Sequence, residues 1–222
     1  RLSQLPSTRI ASASLVAAGE LKAGNQPIPA HCLVKGSVND RLGEPDQTPF
    51  AMGFEMRLPL NWNGRFWYQA NGGIDGSVEP ARGEFGGGAL TGALAQGFVV
   101  ISSDAGHDNR KTRGPAFGFD PQARLDYGYN TVGTLTPIAK DAIRLAYGKG
   151  PDRSYIGGCS NGGRHTLVAA ARFPEMFDGY LAGAPGYNLP LAAIASIFGA
   201  QQYATVATNP KDLSTAFTRP ER

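Results

Sequence analysis

The stretch YIGGCSNGGRH, residues 155–165, runs from a strand-like segment into a knot of glycines with Ser160 at its centre. Gly158-Cys159-Ser160-Asn161-Gly162 reads G-x-S-x-G. The five-residue pattern occurs by chance, so its setting decides its value. A strand before it and a helix after it are the setting a nucleophile elbow requires. In that turn the serine takes strained backbone angles, and the flanking glycines remove Cβ atoms that would clash. The hydroxyl is lifted above the sheet edge, and the helix N-terminus lies beneath any oxyanion that forms. Ser160 is therefore the candidate nucleophile; the competing reading is a structural serine in a glycine-rich turn.

The surrounding sequence supplies that setting. FAMGFEMRL (50–58) alternates apolar and polar residues as a half-buried strand does, and RFWYQANGG (65–73) is an aromatic strand running into a glycine turn. GFVVISSDAGH (97–107) is the continuous apolar run of a strand buried on both faces. Residues 108–130, rich in Gly, Asp, Asn and Arg, are expected to form a long surface loop. TPIAKDAIRLAYG (136–148) predicts a helix with Thr136 as N-cap, Pro137 in the first turn and Gly148 as the stop. RSYIGG (153–158) predicts a strand, residues 161–172 a helix, and DGYLAGAP (178–185) another strand. Strand alternating with helix implies an α/β fold with a mostly parallel sheet flanked by helices. Beyond residue 186 the pattern loosens, and KDLSTAFTRPER (211–222) reads as the start of a polar helix or linker.

An oxyanion hole needs two N–H donors. Asn161 follows the serine and offers one through its backbone. The second is expected from the NGG turn after the strand at 65–69, at Gly72 or Gly73. The triad is less complete. On this architecture the order is Ser, then Asp or Glu, then His, and the only histidine after Ser160 is His165. It lies five residues along the elbow helix, which should carry it away from the hydroxyl. His31, in a prolyl loop beside Cys32, reads as structural. His107, in SSDAGHD, is a pocket candidate with the wrong chain order for a base; a loop-fixing hydrogen bond, with Asp104 as partner, is the plainer role. Arg164 is a second pocket candidate, as are the aromatics at 66–68, for which core packing is the plainer role. The Asp and His of the triad are thus expected outside this chain, on a missing C-terminal segment or a second polypeptide.

Composition is that of a globular protein: 222 residues, 41% hydrophobic and 18% charged. The net charge of +3 comes from 21 basic and 18 acidic residues that do not cluster, so neither nucleic acid nor a membrane surface is implied. The longest apolar-leaning stretch, Leu189–Ala200, is too short to span a bilayer. The chain starts at Arg1 without a signal-like segment, as a trimmed product would. Its two cysteines, Cys32 and Cys159, allow one internal disulfide, two free thiols, or bonds to cysteines elsewhere.

GGCSNGGR, RFPEMFDGYLAGAPG, NWNGRFWYQANGG and SSDAGH, taken together, resemble the tannase and feruloyl esterase family, which includes the mono(hydroxyethyl) terephthalate hydrolases. The similarity runs from about residue 10 to the end. It implies an α/β-hydrolase that stops before the lid and the C-terminal triad segment, with residues 1–190 as the N-terminal part of the catalytic domain and 191–222 as the start of a lid or linker. By the same resemblance Cys159 pairs with a cysteine after the catalytic histidine, and Cys32 with one upstream of Arg1. Disulfides imply an oxidising compartment, hence a secreted or periplasmic protein. Calcium belongs to the absent lid, so this chain is expected to hold no cofactor. The implied activity is hydrolysis of phenolic or aromatic acid esters through an acyl-enzyme on Ser160. The rivals are a catalytically incomplete binding or assembly module, and a tannase or other serine hydrolase of the same fold.

Overall fold

A computed structural model describes residues 5–44, 46–85 and 92–217. The chain divides into two compact units, Arg1–Pro185 and Gly186–Arg222. The first unit is built on strands β1 (Thr8–Val16), β4 (His31–Leu42), β5 (Pro49–Pro59), β6 (Arg65–Gln69), β7 (Val99–Ser103), β8 (Arg153–Cys159) and β9 (Gly179–Gly183). A two-stranded hairpin, β2 (Lys22–Ala23) with β3 (Gln26–Pro27), stands apart. The helices are α1 (Pro121–Leu125), α2 (Thr131–Tyr147) and α3 (Asn161–Arg172).

The seven strands form one sheet in the order β1-β4-β5-β7-β6-β8-β9. β1, β4, β5 and β7 pair antiparallel in succession, and β7, β6, β8 and β9 pair parallel. Five of the seven strands therefore run the same way, with β1 and β5 opposed. Alternation along the central strands divides the interior into two cores. Phe66, Tyr68, Val99 and Ile101 face α2 residues Leu135, Ala139 and Ile143 in one cluster. Trp67 and Val100, on the opposite face, pack with Ile28, Leu94 and Phe98 in the other. All five residues of β7 are buried, as a strand covered on both faces requires.

Several elements differ from their sequence expectation. The stretch expected to be a long loop at 108–130 contains a 3₁₀ helix (Gly114–Phe119), α1 and a π-helical turn (Asp126–Asn130) that feeds directly into α2. Its charged composition misleads because Asp120 is buried and fully engaged. It caps α1 through Ala123 N at 2.7 Å and accepts from Arg41 Nη2 at 2.6 Å, Arg41 Nη1 at 3.1 Å and Glu44 N at 3.2 Å. Those bonds hold its carboxyl below the usual range against the opposing effect of burial, which is the largest single influence. α2 starts at Thr131, so Thr136 lies inside it, its hydroxyl donating to Val132 O at 2.7 Å. Pro137 also sits inside the helix. Its cost of ~3 kcal/mol is outweighed by the buried face of Val132, Leu135, Ile138, Ala139, Ala142 and Ile143.

β1 and β4 had no sequence signal. β1 is mostly exposed and small-residue rich, and β4 carries Asn39 and Asp40 at a bulge. Pairing of ten of its twelve residues with β5 makes β4 a strand where propensity alone does not. His31 consequently opens β4 rather than lying in a loop, opposite Val16 and Pro59. In the second unit, α4 (Leu189–Val206) is an 18-residue helix followed by a 3₁₀ turn, Leu213–Ala216. It is apolar all round, with Leu191, Ile194, Ile197, Phe198 and Val206 all exposed, so no one-sided period announced it. The last five residues of the polar tail, 218–222, lie outside the described residues.

Asp104, just after β7, is buried and accepts hydrogen bonds from Gly53 N at 3.0 Å and Gly106 N at 2.9 Å. Burial nevertheless dominates and pushes its carboxyl up to about 8. A carboxyl raised in the folded state binds a proton that the unfolded chain has released. Its stabilisation is complete below about pH 4 and is lost as pH rises towards 8. Asp104→Asn should therefore flatten the decline of melting temperature between pH 5 and 8, measured by circular dichroism in matched buffers. An unchanged slope would show that Asp104 is not the group titrating.

Candidate active site

β8 ends at Cys159 and α3 begins at Asn161, so Ser160 alone makes the turn. Its backbone is at φ 58°, ψ −118°, a conformation that L-residues rarely hold. Three constraints fix it there. Ser160 N donates to Gly183 O of β9 at 3.0 Å, and Arg164 N donates to Ser160 O at 3.1 Å. A Cβ on either Gly158 or Gly162 would collide with the carbonyl oxygen of Ala70 at the end of β6. A Cβ on Gly163 would stand 2.6 Å from Gly183 O and 2.8 Å from Pro185 Cα. The obstructing atoms are mostly backbone and cannot swing away. The serine side chain itself is exposed.

Ser160 opens into a cleft of about 490 Å³ whose walls include Cys159, Gly72, Asn71, Arg82 and Phe85. Gly72 lies against the same turn, with a Cβ position 3.7 Å from Cys159 O, and Gly73 is at φ 65°. The turn is anchored from beneath: Asn71 Nδ2 donates to Ser102 Oγ at 2.9 Å and Ser103 O at 2.8 Å. Gly72 and the N-terminus of α3, where Asn161 lies, thus flank the serine from two separate segments.

Behind the serine lies a polar cluster that sequence reasoning did not assemble. His165, carried inward by α3, is buried, with Nε2 3.1 Å from Asp75 Oδ1. Asn161 Nδ2 donates to the same Asp75 oxygen. Asn161 Oδ1 accepts from Tyr127 Oη at 3.0 Å and Arg164 Nε at 2.6 Å. Arg164 also donates to Gly128 O and Tyr127 O, each at 3.2 Å, and its guanidinium lies 4.4 Å from the Tyr127 ring centroid. Its polar atoms are turned to this cluster. Arg164 is not a wall of the cleft. Neither is His107, which is buried and stacks on Phe117 at 3.8 Å between ring centroids. Burial chiefly lowers its pKa, opposed by the charge of Asp75 and the carbonyls of Ile74 and Ala105, so its ring is neutral at pH 7. The expected bond to Asp104 is not made, because that carboxylate faces Gly53 and Gly106.

His31 is also engaged elsewhere. Its Nδ1 donates to Pro29 O at 2.8 Å while Nε2 accepts from Arg57 Nη1 at 2.8 Å, a tautomer fixed by the invariant roles of carbonyl and guanidinium. Cys32 and Cys159 are free thiols. They cannot join each other: β4 and β8 are four strand positions apart, roughly 19 Å at about 4.8 Å per strand, and a disulfide needs Cα atoms within about 7 Å. Among the described residues no group of three His, Cys, Asp or Glu side chains could hold a metal ion, and no helix is long and apolar enough to cross a membrane.

The sheet order, the strand-turn-helix at Ser160 and the helical layers are those of the α/β-hydrolase fold, and comparison with known proteins agrees. A family model described as tannase and feruloyl esterase matches residues 37–215. The chain belongs to the tannase and feruloyl esterase family. It is 43% identical over 186 residues to the mono(2-hydroxyethyl) terephthalate hydrolase of Piscinibacter sakaiensis, covering 81% of this chain and 31% of that protein. Among solved structures, feruloyl esterase B from Aspergillus oryzae superposes with a TM-score of 0.71 at 26% identity, covering 92% of this chain and 39% of the other. Tannin acyl hydrolase from Aspergillus niger shares the fold, with a TM-score of 0.53 at 17% identity over 83% of this chain and 34% of that one. The chain therefore spans about a third of the length of these relatives.

The strain at Ser160 has a measurable consequence. A positive-φ residue outside glycine costs on the order of 1–3 kcal/mol, and glycine gives back about 0.5–1 kcal/mol through the unfolded chain. Ser160→Gly should be more stable than Ser160→Ala by ~1 kcal/mol, a rise of roughly 2–4 °C in melting temperature for a chain of this size. Equal melting temperatures for the two variants would mean that the turn is not strained.

Proposed function

We propose that this chain carries the nucleophile and oxyanion hole of a serine carboxylic ester hydrolase acting on phenolic or aromatic acid esters. The observation that carries the reading is Ser160 itself: exposed, strained, at the strand-to-helix turn and facing an open cleft. A buried structural serine would need none of these features. In the reaction the Ser160 oxygen attacks the ester carbonyl carbon as a base takes its proton. The tetrahedral oxyanion is held by the backbone N–H of Asn161 and that of Gly72 or Gly73. Its collapse expels the alcohol, which takes up the proton, and leaves an acyl-serine; water then attacks that ester and releases the acid. The names of the relatives, a feruloyl esterase and a mono(2-hydroxyethyl) terephthalate hydrolase, support aromatic acids as the acyl class.

The base and its acid are proposed to come from outside these residues. His31 and His165 are hydrogen-bonded elsewhere, to Arg57 and Asp75, and His107 is buried against Phe117 outside the cleft lining. A C-terminal segment or a second chain would supply the pair. Cys159 borders the cleft next to the nucleophile and is half-buried. A disulfide from it to the segment bearing the histidine would hold base and serine together, and Cys32 would bond a cysteine upstream. Both bonds require a secreted or periplasmic protein. Among the described residues no group of three His, Cys, Asp or Glu side chains could hold a metal ion, so the calcium that the family resemblance implies would be held by residues elsewhere. The competing reading, a binding module with an inherited elbow, does not explain why the strain at Ser160 is retained.

In the complete protein containing this chain, Ser160→Ala should lower kcat for a feruloyl or galloyl ester by several orders of magnitude, with the circular dichroism spectrum unchanged. The parent should be labelled by a fluorophosphonate, with the adduct on the Ser160 peptide by mass spectrometry. An unlabelled serine together with unaltered turnover in Ser160→Ala would place the chemistry elsewhere.

A further inference from the structure

Asp75 has no place in the chemistry above, and nothing in its local sequence, NGGIDG, marks it. Yet its side chain is only 2% exposed and lies at the junction of the two segments that flank the serine. On one side it belongs to the glycine turn. Asp75 N donates to Gly72 O at 3.3 Å, and Asp75 O accepts from Asn109 Nδ2 at 2.7 Å. On the other side its Oδ1 takes the amide of Asn161 and lies 3.1 Å from Nε2 of His165. Asn161 is the residue whose backbone N–H forms the first arm of the proposed oxyanion hole, and Gly72–Gly73 form the second. The far end of the Asn161 amide is tied to Tyr127 and Arg164, which leaves that side chain one orientation.

We propose that Asp75 is the positioning residue of the oxyanion hole, fixing the separation of its two arms through Asn161; this rests on the hydrolase reading above. The chemistry of the residue suits the task. A carboxylate is an acceptor only, so two donors can converge on one of its oxygens without a competing N–H. Charge-assisted bonds are shorter and about twice as strong as neutral ones. Burial excludes the water that would otherwise exchange with them. The two arms have no covalent relation, since one follows β6 and the other begins α3. The β6–β8 ladder, the packing of Gly158 and Gly162 against Ala70 and the Asn71 bonds to Ser102 and Ser103 place the two segments side by side. Among the side chains, Asp75 adds a direct bond from the glycine turn to Asn161, and an oxyanion donor is effective only when it is placed to within a few tenths of an ångström of the developing charge.

The test uses the complete protein, with Asp75→Ala, Asn161→Ala and the double variant, an aryl ester substrate, and an arylboronic acid that forms a tetrahedral anionic adduct on serine. Each single variant should lower kcat by ~10–100-fold, less than outright removal of an oxyanion donor, with KM within about twofold. The boronate inhibition constant should rise by the same factor as kcat falls. The double variant should be no worse than about threefold beyond either single, because both remove one tether. A kcat unchanged in Asp75→Ala, losses that multiply in the double, or a boronate constant that does not follow kcat would each overturn the role. If Asp75→Ala does not fold, Asp75→Asn is read in its place by the same kcat and boronate criteria, since it removes the charge that strengthens both bonds to Oδ1. Turnover surviving in Ser160→Ala would remove the hydrolase reading itself, whereas Ser160-dependent turnover indifferent to Asp75 removes only the positioning role.

Discussion

The rest of the site depends on one backbone contact, that of Gly158 and Gly162 with the carbonyl of Ala70. The strand-to-helix turn can lie against the end of β6 only because two glycines leave no Cβ in the way. From that approach follow the position of Ser160, the strained angles it must adopt, and the neighbouring position of the Gly72 turn. The sheet supplies the force that maintains it. β6 pairs with β8 over five residues in parallel register, and the ladder delivers Ala70 and Gly158 to the same height, with Ala70 N donating to Gly157 O at 3.0 Å. Strain at one residue is affordable when so many bonds on either side determine the geometry.

The parallel half of the sheet explains where the polar residues collect. The carboxyl ends of β6, β7 and β8 all open onto the same edge, which in open α/β sheets is where sites form. Gly72 and Asp75 follow β6, Asp104 and His107 follow β7, and Ser160 follows β8. The turn before α2 adds Tyr127. Chain order does not foretell this assembly, because β7 lies between β5 and β6 in the sheet and not beside β8. The result is layered: an exposed serine and open cleft in front, and behind them a buried network in which Asp75, Asn161, His165, Arg164 and Tyr127 satisfy one another. Desolvation makes such a network costly if any member is unpaired. That cost accounts for the close fit between the donors of Asn161, His165 and Arg164 and the acceptors that meet them.

Among the sequence readings, those resting on local periodicity agree with the fold. β5 to β9 and α3 lie within a few residues of their predicted bounds, because apolar alternation and glycine punctuation are properties of neighbours in the chain. Where the outcome depended on distant partners, local signals failed. The stretch at 108–130 looked like a loop because Asp120 is charged, but Arg41, far away in sequence, neutralises it inside the protein. Pro137 looked like a helix start, but burial of the α2 face carries the helix through it. β4 exists because β1 and β5 stand on either side of it.

The sequence by itself determined the α/β class, the turn that presents Ser160 and the glycines that make the turn possible, since each depends on residue types at fixed short spacings. Only the tertiary structure decided which side chains stand behind the serine. His165 turned out to be held by Asp75, a residue ninety positions earlier, and Arg164 to be directed at Tyr127 and Asn161 rather than into the cleft. Those partnerships arise from strand order and helix docking, which bring the ends of separate segments together. The hydrogen-bonding needs of a buried carboxylate then select its partners by proximity in space, and sequence spacing carries no record of that choice.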